Sequence, residues 1–289
     1  DAWEVVRRAG HPAIGLILDS FHTLARNIEV QSIRAIPADR IFIVQLADAP
    51  RLDVDLLYLS RHFRSMPGEG DLPVGDFMRS IAATGYAGVI SIEIFNDQFR
   101  AAANRPVARD GRRSLVNLMD SVHRLEPEAP MQVPALPAPI EVKGVEFIEF
   151  ATDEVAGARL ETLLRQLGFR HTGRHRGKRV ERFTQGAINI VVNRQTTGLA
   201  HASYVTHGLS AYALGLKVDE AEMAMTRAAA LGAEAFAEPV GRGELQVPAI
   251  RGVGGGLVYL VDDRPGLARL WDVEFEALTD TTPTARLTA

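Results

Sequence analysis

The sequence predicts an α/β domain followed by an α+β domain, and three observations carry that expectation. Up to about residue 125, short and nearly continuous apolar runs alternate with helical stretches. Strands of that kind belong to a parallel sheet covered on its faces by helices. Next, PEAPMQVPALPAP places five prolines in thirteen residues, removing backbone donors and favouring an extended spacer. After it, a strand, a helix and three short strands occur twice in the same order.

Residues 1–10 (DAWEVVRRAG) read as an amphipathic helix already under way, and the chain is expected to be a fragment. AIGLILD, IFIVQLAD and GVISIEIF have the pattern of buried strands, with LLYLSRHFR as a shorter fourth. SFHTLARNI, VGDFMRSIAATG and RDGRRSLVNLMDSVHRL have helical periodicity. About four β/α units result, half of an eight-unit barrel, over residues 1–125. Residues 126–140 are the linker, 141–275 the second domain and 276–289 a tail. In the second domain VEFIEFA begins the first unit, with a helix over 154–167 and strands around RHTGRHRG, VERFTQG and INIVVNR. SAYALGLKV begins the second unit, with a helix over 220–231 and strands in AEAFAEP, GELQVPAIRG and GLVYLVDD. Two βαβββ units in tandem are the grammar of a vicinal-oxygen-chelate domain, whose paired sheets curl around a shared cavity.

Bulk properties narrow the function classes. With 32 basic against 36 acidic residues the net charge is −4, which creates no field for nucleic acid or an anionic membrane. The chain has no cysteine, so disulfides, thiolate metal sites and cysteine nucleophiles are excluded, and a cytoplasmic location is expected. No apolar run reaches the roughly 18–20 residues of a membrane helix. A small-molecule substrate is expected as partner, neither nucleic acid nor membrane is, and a homo-oligomer is left open.

Strand alternation puts Gly15, Ile17 and Asp19 on one face; Ile43, Gln45 and Ala47 on one face; and Val89, Ser91 and Glu93 on one face. Acidic and amide side chains at the ends of otherwise apolar strands need a positive or hydrogen-bonding neighbour, because an unpaired charge there is costly. A divalent cation meets that need. Asp19, Gln45 and Glu93 offer oxygen only, which suits Mg²⁺ or Mn²⁺ and admits Co²⁺. His22 follows Asp19 by one helical turn and is a candidate for proton transfer. Taken singly, Asp19 reads equally as a helix cap, His22 as a helix-start residue and Arg64 as a surface ion-pair residue.

The segments GLILDSFH, IFIVQLAD, RHFRSMPGEGD and GVISIEIFND resemble, in order and spacing, those of the sugar-phosphate isomerase-like 3-dehydroshikimate dehydratases, with a xylose isomerase-like TIM barrel. Residues 145–263 resemble the N-terminal, non-catalytic domain of 4-hydroxyphenylpyruvate dioxygenase. The resemblance implies one divalent metal on Asp19, Gln45 and Glu93, with a further Glu ligand upstream of residue 1. It also implies dehydration of 3-dehydroshikimate to protocatechuate, with His22 as general base or acid and Arg64 gripping the substrate carboxylate. A sugar isomerase or epimerase of the same barrel superfamily is the alternative, followed by a non-catalytic assembly module or part of a dioxygenase-like protein.

Strands of the second domain present no His and Glu together, and GLVYLVDD carries Tyr259 where a metal-binding Glu would stand. No three-ligand metal site is expected there, and a structural role is. HASYVTHG, with His201 and His207, reads as a connecting segment. The basic cluster from Arg170 to Arg182 reads as a solvated hairpin face, and GVGGG enters a strand, so it is no phosphate loop.

Overall fold

The computed structural model describes residues 2–241 and 243–279. The chain separates into two compact units, residues 1–136 and 137–289.

In the first unit the order is α1 (Ala2–Ala9), β1 (Leu16–Asp19), α2 (Ser20–Leu24), β2 (Ile41–Leu46), α3 (Leu56–His62), α4 (Val74–Ala82), β3 (Ile90–Ile92), α5 (Asp97–Ala101) and α6 (Asn104–Leu125). β1, β2 and β3 form a parallel sheet in that order. The core lies where Val44 and Leu46 of β2 meet Phe77, Met78 and Ile81 of α4, with Val122 of α6. Fully burying such a side chain contributes roughly 1.5–3 kcal/mol each.

The sheet has three strands, one fewer than the apolar runs predict. LLYLSRHFR is mostly helix α3, opened by Asp55, whose side chain accepts from the amides of Leu57 and Tyr58. The predicted strand survives as two isolated bridges, Phe63 with Asn96 and Ser65 with Asp48. Behind Phe63 the chain must pass close to β2. Asp48 organises that passage by accepting from the amides of Ala49, Gly68 and Leu72.

Residues 126–141 carry no regular element. The second unit then runs β4 (Val142–Ala151), α7 (Glu154–Gln166), β5 (Arg170–His175), β6 (Val180–Gln185), β7 (Ile188–Asn193), α8 (Gly198–His207), β8 (Ser210–Val218), α9 (Ala221–Ala230), β9 (Ala235–Phe236), β10 (Ala249–Arg251), β11 (Leu257–Val261), α10 (Leu270–Glu274) and β12 (Phe275–Ala277). One nine-stranded sheet in the order β12-β5-β6-β7-β4-β8-β11-β10-β9 replaces the expected pair of sheets. Its symmetry is that of the repeat: β4 pairs parallel with β7, β8 pairs parallel with β11, and β4 meets β8 antiparallel at the centre.

Three expectations are corrected here. HASYVTHG is helix α8, carrying His201 and His207, so it is no simple connection. β12 pairs with β5 across the predicted 275/276 boundary, so the tail begins later than expected. Its remainder, residues 280–289, lies outside the described residues. Third, the basic hairpin is only partly solvated: Arg174 pairs with Glu181 at 3.1 Å, but the His175 side chain is 8% exposed and Arg182 stacks 3.9 Å over the Trp271 ring.

Candidate active site

Register brings the predicted residues together. Asp19 is the last residue of β1 and faces Gln45 of β2 directly. Glu93 follows the last residue of β3, and its amide donates to Leu46 at 3.0 Å, extending the parallel ladder by one step. All three thus stand at the C-terminal ends of adjacent parallel strands, the end where barrels of this kind build their sites.

Asp19 serves two purposes. Its Oδ1 caps α2 by accepting from the His22 amide at 3.1 Å, which starts the helix that carries His22. Its Oδ2 turns inward and accepts from Arg64 Nη1 at 3.1 Å. The same guanidinium nitrogen lies 3.0 Å from Glu93 Oε2, so two carboxylates share one cation. Gln45 Nε2 donates to Glu93 Oε1 at 3.2 Å.

Arg64 is the hub of this cluster and is 1% exposed. Its Nε donates to the Ser60 carbonyl, Nη1 to Asp19 and Glu93, and Nη2 to the Ser60 hydroxyl and to His22 Nε2, the last at 3.1 Å. A guanidinium has five N–H bonds, and all five are engaged. That arrangement leaves no donor for a substrate carboxylate, the role expected of Arg64, unless the residue moves. The contact with His22 also fixes a tautomer: Nε2 accepts, so the neutral ring carries its proton on Nδ1. His22 Nε2 lies 4.0 Å from Asp19 Oδ2 while much of the ring stays exposed.

The donor set fits a hard divalent cation. Asp19 and Glu93 flank a single positively charged group, and a rotated Gln45 amide would add a neutral oxygen beside them. Arg64 supplies the compensating charge that two converging carboxylates require.

In the second unit, one group of three side chains among the described residues brings possible metal-ligating atoms within 4.8 Å: His175, Glu244 and Glu274. The expectation of no three-ligand site there considered only the strands, and these three residues converge from a strand, a loop and a helix end. The cluster is nonetheless self-satisfied. His175 Nδ1 accepts from the amides of Gly177 and Lys178 at 3.0 and 3.1 Å, so the proton sits on Nε2, which is 3.0 Å from Glu274 Oε2. Burial, reinforced by Lys178, holds this imidazole below its ordinary pKa and therefore neutral. Lys178 Nζ in turn lies 2.8 Å from Glu244.

Comparison with known proteins agrees with this division. Residues 1–118 match the family model described as xylose isomerase-like TIM barrel, and residues 136–276 the one described as hydroxyphenylpyruvate dioxygenase, HPPD, N-terminal. The 3-dehydroshikimate dehydratase of Pseudomonas putida is 45% identical over 290 residues, covering 99% of this chain and 46% of its own length. The Pseudomonas aeruginosa 3-dehydroshikimate dehydratase is 42% identical over 279 residues, 95% of this chain and 44% of its own. A solved structure of a "xylose isomerase-like TIM barrel/4-hydroxyphenylpyruvate dioxygenase fusion protein" superposes with a TM-score of 0.82 at 44% identity, covering 98% of this chain and 46% of that one. The chain spans about half the length of the curated relatives it matches. In fold it is a segment of xylose isomerase-like TIM barrel followed by a domain of the hydroxyphenylpyruvate dioxygenase N-terminal kind, the arrangement that the name of the superposed fusion protein also gives.

Proposed function

We propose that the protein bearing this chain removes water from 3-dehydroshikimate to give protocatechuate, using one divalent cation, Mg²⁺, Mn²⁺ or Co²⁺. The observation that carries the reading is the meeting of Asp19, Gln45, Glu93 and His22 around Arg64 at the strand ends. The names and coverage of the relatives supply the substrate.

The reaction takes a proton from the carbon beside a ketone. The C–O bond of the neighbouring hydroxyl then breaks, the oxygen leaves as water, and enolisation yields the aromatic ring. Asp19, Glu93 and Gln45 would hold the cation, which supplies positive charge beside the ketone oxygen. His22 is assigned the proton transfer: its inward Nε2 carries the lone pair, which accepts from Arg64 at 3.1 Å and takes a substrate proton only when that contact opens. Arg64 positions His22 and both carboxylates, and a substrate carboxylate could draw it away only by replacing one of those contacts.

The test is the rise of protocatechuate absorbance when the protein bearing this chain meets 3-dehydroshikimate with each metal in turn. Glu93→Ala is expected to lower turnover at least ~100-fold, since removing one anionic ligand weakens both metal binding and stabilisation of negative charge on the ketone oxygen. Absence of product with every metal would overturn the reading. Interconversion of ketoses without dehydration would favour an isomerase.

A further inference from the structure

The nine-stranded sheet of the second unit lines a cavity of about 160 Å³. The first and last strands of each βαβββ unit contribute to it: Glu149 from β4, Asn193 from β7, Tyr212 from β8 and Tyr259 from β11, with Phe147 and Trp271 as aromatic wall. Nothing derived above for the first unit uses these residues.

Its polar end is built and buried. Asn193 Nδ2 donates to Glu149 Oε1 at 2.8 Å and lies 3.3 Å from the Tyr212 hydroxyl. Burial drives the Glu149 carboxyl above its ordinary range, towards the neutral acid, against the pull of Asn193 and Tyr212. Burial, reinforced by Glu149, keeps the Tyr212 and Tyr259 phenols protonated. Among the described residues the Tyr259 hydroxyl has no hydrogen-bond partner, although it lines the cavity beside this network. A polar group of that kind, facing a partly open cavity, can be met by a ligand atom or a water.

Charge excludes an anion. Glu238, Glu244 and Glu274 also line the cavity; Lys178 lies 2.8 Å from Glu244, and the neutral His175 donates to Glu274 at 3.0 Å. An anion would face those carboxylates without a spare cation among the described lining residues. Size narrows it further. A dry cavity of about 150 Å³ admits benzene, so the space here takes one six-membered ring with a small substituent. The aromatic wall, with Phe147 5.8 Å from both Tyr259 and Trp271 between ring centroids, suits an aromatic ring.

We propose that this cavity is a binding site for a small uncharged phenol, its ring against Phe147, Tyr259 and Trp271 and its hydroxyl in the Glu149, Tyr212 and Tyr259 network. Calorimetric titration of the full chain at pH 7 with phenol, and separately with benzoate, tests it. Saturable one-to-one binding of phenol is expected, with benzoate at least tenfold weaker. Tyr259→Phe removes one hydroxyl and is expected to weaken phenol about three- to tenfold, the value of one neutral hydrogen bond. Ala249→Phe, which fills the cavity from β10, is expected to abolish binding. Should Ala249→Phe fail to fold, as judged by circular dichroism, Tyr259→Phe still decides. No saturable phenol binding, benzoate binding as well as phenol, or an unchanged affinity in Tyr259→Phe would each overturn the proposal.

Discussion

At the residue scale, Arg64 shows how one side chain can hold two converging carboxylates together. Asp19 and Arg64 are buried, and the Glu93 carboxylate is part-buried beside them. Removing one partner of such a group leaves uncompensated charge, which typically costs about 3–5 kcal/mol, more than deleting an exposed pair does. Arg64→Met is therefore expected to destabilise the first unit by about that amount without added metal. A divalent cation at millimolar concentration should restore much of the loss, because it would supply the charge that the guanidinium no longer does. Chemical denaturation with and without Mn²⁺ measures both effects, and a metal-insensitive Arg64→Met would separate the Arg64 cluster from metal binding. The residue types and their strand-end placement were legible: Asp19, Gln45, Glu93, His22 and Arg64 all meet in one cluster. The saturation of Arg64 was not, since donor counting needs the positions of Ser60 and His22 relative to its fork. His175 was set aside with a solvated hairpin, although its neighbours at alternate positions, His171 and Gly173, already placed it on the face opposite Arg174.

At the scale of elements, three strands of the first unit and the repeat of the second follow from apolar periodicity, and the failures have a common cause. LLYLSRHFR looks like a strand because its apolar residues are continuous. In the structure Leu56 and Leu57 are exposed, so their apolar character reports no buried sheet face. The stronger local signal was Asp55, a helix cap two residues before Leu57. The loop after β2 carries a second local constraint. A side chain on Gly70 would place its Cβ 2.6 Å from the backbone N and O of Ala49, and against Asp48. These are backbone atoms tied by the Asp71 amide bond to Ala49 and by the Asp48 carboxylate, so they cannot yield cheaply. Gly70→Ala is expected to cost about 1–3 kcal/mol, as overpacking does. Urea midpoints compared with Gly75→Ala, where a Cβ meets nothing within 4 Å, provide the measurement and its control.

At the scale of the whole molecule, the chain is two cores rather than one. The first rests on a three-stranded parallel sheet with open edges at β1 and β3, and its Ile17, Ile43 and Val89 are exposed. The second rests on nine strands whose central pairs, β7-β4-β8-β11, are bonded on both sides. The more extensively paired backbone favours the second, so it should melt at the higher temperature. Two calorimetric transitions are expected. Phe77 and Phe183 are fully buried, one in each core. Truncating a buried Phe to Ala costs about 3–5 kcal/mol through lost transfer energy and the cavity left behind. Phe77→Ala should therefore lower the first transition and leave the second in place, while Phe183→Ala should do the reverse. If either substitution shifts both transitions equally, the two units unfold as one cooperative body.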